Sequence, residues 1–131
     1  MKLRAAALTA LAASAALSLS VHAAKVADED FGFETTEDLY TVCSTPMEAP
    51  EYASARFACR AFIEATVQYH DAVSDKKNLK RLVCYPKTAT IGDGRRAFLS
   101  WAESNAGNKR LMEELPVIGL VRALASAYPC R

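Results

Sequence analysis

The chain carries four cysteines, Cys43, Cys59, Cys84 and Cys130, and the last stands one residue from the C-terminus in "ALASAYPCR". Chain ends are normally the least ordered part of a domain, so a thiol there is either a reactive tail or a staple that holds down the final element. An even number of cysteines in a chain of 131 residues points to a framework of two disulfides if the chain is exported to an oxidising compartment. A metal site is the weaker reading, because no CxxC pair occurs and His70 stands far in sequence from Cys59 and Cys84.

Export is what the N-terminus predicts. "MKLRAAALTALAASAALSLSVHAA" opens with Lys2 and Arg4, continues through an apolar Ala/Leu/Ser run from Ala5 to Val21, and closes on small residues. That is the three-part pattern of a secretory signal peptide, residues 1–23, with Val21, His22 and Ala23 as its cleavage motif. A membrane anchor is disfavoured, since the run is only about 17 residues and a spanning helix needs roughly 20. No cysteine stands at the cleavage site, which argues against a lipoprotein, and the short basic start fits a bacterial signal and hence the periplasm.

What remains is one domain's worth of chain, enough for a single core. Without Lys2 and Arg4 it carries fourteen Lys and Arg against fifteen Asp and Glu. A balance so close to neutral gives no reason to propose nucleic acid, or a membrane after signal cleavage, as a partner.

The segment "AKVADEDFGFE", residues 24–34, reads as a flexible acidic lead, and residues 35–131 as one helical domain. Order is expected from "TTEDLYTVC", where Thr35 and Asp38 have the spacing of a capping box. "PEYASARFACRAFIEATVQYHDAV" keeps helical periodicity through Tyr52, Ala55, Cys59, Phe62, Ile63, Thr66, Val67, His70 and Val73, and "SDKKNLKR" follows as a solvated basic loop. A third helix follows Thr90, with Asp93 repeating the capping pattern and Ala97, Phe98, Trp101 and Ala102 as its buried stripe. "SNAGN" stops it. The last helix is expected to bury Val117, Leu120, Val121, Leu124 and Tyr128, with Pro116 in its first turn and Pro129 beyond its end. No stretch shows sustained alternation, so the fold class is all-α, a compact bundle of about four helices.

Four cysteines allow three connectivities. Cys43 ends the first helix and Cys59 lies early in the second across a short loop, so a hairpin brings them together. Cys84 precedes the third helix and Cys130 follows the fourth; if those helices are antiparallel neighbours, both sulfurs meet at one end of the pair. The expected pairing is therefore Cys43 with Cys59 and Cys84 with Cys130, whose loops would contribute roughly 3 and 4 kcal/mol in the chain-entropy model.

Catalytic chemistry is not signalled. A Cys–His nucleophile built on Cys43 or Cys59 with His70 fails because a disulfide carries no thiolate, and Cys59 and His70 stand about 16 Å apart along a helix. Glu64, Glu103, Glu113 and Glu114 sit singly or adjacent on helix faces, and no phosphate-binding glycine loop or GxSxG occurs. No enzyme activity and no cofactor are expected.

The succession "LYTVC", "ARFACRAFIEATV", "VCYPKTATIGDGRRAFLSWAESN" and "PVIGLVRALASAYPC" resembles the Tai type of immunity proteins, from about Thr35 to Cys130. Its most specific parts are the FxC-x2-FI helix at Cys59, the CxP step at Cys84 and Pro86, the Thr90 cap and the closing AxPC. Ala65, Asp93 and Asn108 depart from the family's common glycine, glutamine and proline, and none touches the cysteine frame. The resemblance implies a small exported helical protein that inhibits a cognate type VI secretion peptidoglycan amidase effector, often as a homodimer. Three surfaces are candidates for that contact: "STPMEAPEY", "SDKKNLKR" and "ESNAGNKR". The last ranks first, and its partner-binding residues are Glu103, Ser104, Asn105, Asn108, Lys109 and Arg110. The competing class is a periplasmic stress or chaperone-like binding protein, with which the acidic run Asp28, Glu29 and Asp30 is compatible.

Overall fold

The computed structural model describes residues 25–131, so the expected signal peptide, residues 1–23, lies outside the described residues. The regular structure of the described residues is all helical: a 3-10 helix Asp28–Gly32, then α1 Thr36–Ser44, α2 Tyr52–Lys76, α3 Ile91–Asn105, the single turn α4 Lys109–Met112, and α5 Pro116–Ala127. Four substantial helices match the expectation, and α4 adds one turn inside the α3–α5 connection.

Two of these helices start by the same device. The Thr35 hydroxyl accepts from the Asp38 amide at 3.1 Å while the Asp38 carboxylate accepts from the Thr35 amide at 2.8 Å. Thr90 and Asp93 repeat the exchange at 3.2 and 2.8 Å at the head of α3. Each box satisfies two donors that a helix start leaves unpaired.

α2 ends differently, and later than "SDKKNLKR" suggested. Asn78 takes the left-handed conformation at φ 51°, and the Leu79 amide donates back to the Ser74 carbonyl at 2.9 Å. This left-handed ending is one that asparagine tolerates. Lys76, Lys77 and Lys80 are solvated, but Arg81 folds back onto Asp71 at 3.1 Å and Asp75 at 2.7 Å. The His70 ring, 8 % exposed, links these elements: Nε2 accepts from the Leu82 amide at 3.2 Å and Nδ1 lies 2.9 Å from Asp71. With Nε2 as acceptor, a neutral ring carries its proton on Nδ1 and donates to the carboxylate.

The core gathers Leu39, Val42 and Cys43 of α1, Ala55, Cys59 and Ile63 of α2, Phe98 and Ala102 of α3, and Leu120, Ala123 and Leu124 of α5. α3 packs chiefly on α5, and α1 on α2. Cys43 bonds to Cys59 and Cys84 to Cys130, each with a Cα separation of 5.0 Å, as the hairpin argument expects. The first bridge is buried in the core. The second lies nearer the surface, where the Cys84 amide donates to the Tyr128 carbonyl at 2.9 Å and the Tyr85 and Tyr128 rings meet at 5.7 Å. Burial, helped by the Asp71 carboxylate, pushes the Tyr85 hydroxyl up to about 12, so it stays neutral.

Two expectations need correction. The acidic lead is not simply flexible: Val26 is buried, residues 28–32 form a 3-10 turn, and Phe33 lies 5.1 Å from the Phe62 ring. Its apolar residues alternate among the acids and find α1 and α2, a burial that acidity alone concealed. The buried face of α5 is also rotated from the expected one. Pro116, Gly119, Leu120, Ala123 and Leu124 point inward, whereas Val117 and Ile118 are each 41 % exposed. Gly119 is the reason: a β-carbon there would fall 2.4 Å from Thr36, so α5 lies directly against the start of α1 along its smallest side.

Candidate functional site

The six residues expected to bind a partner lie together, Glu103, Ser104 and Asn105 in the last turn of α3 and Asn108, Lys109 and Arg110 at the start of α4. At the end of α3 the Ser104 hydroxyl donates to the Ser100 carbonyl at 2.8 Å, and the Asn105 amide group donates to the Trp101 carbonyl at 2.7 Å. The Asn108 amide then donates to the Asn105 carbonyl at 2.8 Å, and the Asn108 carbonyl accepts from Leu111 and Met112 to open α4. Met112, 3 % exposed, anchors this turn in the core.

The remaining side chains face solvent. Glu103, Ser104, Asn108, Lys109 and Arg110 are exposed, Asn105 is half-buried, and a β-carbon added to Gly107 would meet nothing within 4 Å. Among the described residues, no ion pair engages Glu103, Lys109 or Arg110. Hydrogen bonds thus fix the backbone here while its charged side chains stay in solvent.

A second surface adjoins this turn. Leu115 is 59 % exposed and Leu82 62 %, and Leu82, Val117, Ile118, Val121 and Ala125 line a shallow apolar groove beside Arg122. Arg122 is held at its edge by a two-pronged bond to Glu114 at 2.9 and 3.1 Å. Sequence reasoning assigned Val117 and Val121 to the core. The signal that could have found the groove was the excess of large apolar residues in "LPVIGLV", more than one helix face can bury.

All four cysteines are in disulfides, and among the described residues no group of three or more His, Cys, Asp or Glu could hold a metal ion. No described helix is long and apolar enough to cross a membrane.

A stapled helical bundle with a rigid polar turn and an uncovered apolar helix face has the surfaces of a small protein-binding module. Residues 35–130 match the family of Rap1a immunity proteins, and the chain belongs to that family. Comparison with curated proteins and with solved structures gives no match.

Proposed function

We propose that this protein is a periplasmic immunity protein of the Tai type, which binds and inhibits a type VI secretion peptidoglycan amidase and so protects the cell that makes it. The observation that supports the immunity role is the match of residues 35–130 to the Rap1a immunity proteins; the Tai type, the amidase target and the periplasm follow from the resemblance and the N-terminal pattern. An inhibitor needs a surface that keeps its shape while it covers a catalytic cleft, and two disulfides with a hydrogen-bonded turn supply one. The contact is made by Glu103, Ser104, Asn105, Asn108, Lys109 and Arg110. The apolar face of α5 is covered by a second copy in a homodimer, a reading supported by its exposed Val117 and Ile118.

The test is protection in the living cell. Co-expression with a periplasm-directed amidase encoded beside its gene is expected to prevent lysis, and the double substitution Lys109→Glu and Arg110→Glu to abolish protection without loss of the folded protein. Deleting residues 1–23 is expected to abolish it as well. Lysis that proceeds unchanged in the presence of the abundant wild-type protein would overturn the pairing.

A further inference from the structure

α2 and α3 lie together so that four arginines surround one cleft of about 290 Å³: Arg56 and Arg60 from α2, Arg95 and Arg96 from α3. Ile63 and Ile91 supply its apolar lining, and Gly92 opens it at the first turn of α3. The four guanidiniums are incompletely compensated. Arg96 pairs with Asp93, and Arg60 meets Glu64 only at 3.7 Å. Arg56 donates to the Tyr52 hydroxyl at 3.1 Å, and Arg95 to the Cys43 carbonyl through both Nε at 2.8 Å and Nη2 at 2.5 Å. Among the described residues, neither Arg56 nor Arg95 has an ion-pair partner.

This concentration of charge is local. The whole chain has a formal net charge of +1, so the cluster is not a by-product of a basic protein. Like charges held together disfavour the isolated fold, and an anion relieves that repulsion. Guanidinium matches carboxylate in shape, donating two parallel hydrogen bonds, while Arg95, held through Nε and Nη2 by the Cys43 carbonyl, keeps its Nη1 donors for the anion.

We infer that this cleft is a docking site for an acidic segment of a protein partner, whose Asp or Glu carboxylates are received between Arg56, Arg60 and Arg95. The cleft has room for a few side chains and not for a helix, and its isoleucines suit the methylenes of glutamate. It lies at the head of α3, whereas the turn of residues 103–110 follows the other end, about 20 Å away along the helix. The inference therefore goes beyond the effector reading and stands or falls separately from it.

A glutamate-rich peptide titrated into the isotopically labelled protein at low ionic strength tests it. The Arg56, Arg60 and Arg95 Nε–Hε resonances are expected to shift, and added salt to weaken the binding. Arg56→Gln with Arg60→Gln, both at exposed positions, is expected to raise the dissociation constant roughly tenfold, while Lys76→Gln with Lys77→Gln, which removes the same charge at the other end of α2, leaves that constant within about twofold. Equal affinity in the Arg56/Arg60 variant, or no shift at millimolar peptide, would overturn the inference. So would binding of phosphatidylglycerol vesicles through these arginines in the absence of peptide binding, which would make the cleft a lipid contact.

Discussion

Gly119 sits where α5 crosses the start of α1, and a β-carbon added there would lie 2.4 Å from both Oγ1 and Cγ2 of Thr36. Thr36 cannot give way easily: it is fully buried, its amide donates to the Glu114 carbonyl at 2.8 Å, and its hydroxyl donates to the same carbonyl at 3.0 Å. Gly119→Ala is therefore expected to cost about 1–3 kcal/mol through overpacking. Gly94 is the contrast. A β-carbon there would make ordinary contacts, 3.5 Å from Ile63 and 3.6 Å from Leu124, so Gly94→Ala is expected to be neutral or to stabilise by up to about 1 kcal/mol. Thermal denaturation of the two variants beside the wild type distinguishes them by sign. Sequence did not separate these glycines. Both stand inside helices, and the need for Gly119 is created by a residue distant in the chain.

At the scale of the element, the head of α3 depends on Thr90 and Asp93, and Thr90→Ala is expected to cost about 1 kcal/mol. Hydrogen bonds from the Thr90 hydroxyl and amide, with Arg96 nearby, hold the Asp93 carboxyl below its usual range. A carboxyl lowered by folding contributes stability that is present above its unfolded value near 3.8 and is lost as pH falls through the folded value. Urea unfolding from neutral to acid pH is expected to show a smaller acid loss in Asp93→Asn than in the wild type. The second disulfide joins the approach to α3 with the end of α5, so Cys130→Ser is expected to lower the melting temperature and leave Cys84 titratable by a thiol reagent. A Cys84 that stays unreactive in the denatured variant would mean another partner holds it. These features were legible because each is written locally, as a cap spacing or a cysteine beside a helix end. The inward face of α5 was not, since Val117 and Leu120 look equally apolar in sequence and only the close approach at Gly119 decides between them.

Over the whole molecule, the all-helical bundle and its staples could be read from the chain, and its surfaces only in part. The turn of residues 103–110 was visible because "SNAGN" must interrupt a helix. The α5 groove needs Leu82 from a distant segment, and the arginine cleft joins Arg56 and Arg60 to Arg95 and Arg96, so neither is contiguous in sequence. The groove predicts an oligomer. Size-exclusion chromatography with light scattering is expected to report a dimer for the wild type and a folded monomer for Ile118→Lys; a wild-type monomer at high concentration would remove the dimer from the account. The proposed role is that this bundle neutralises an amidase by occupying it. Its most direct measurement is peptidoglycan hydrolysis by the amidase encoded beside this gene, titrated with the purified disulfide-bonded protein. Activity is expected to fall linearly to zero at molar equivalence and to return when Lys109→Glu and Arg110→Glu are introduced. Full hydrolysis in a large excess of the wild-type protein would rule that role out.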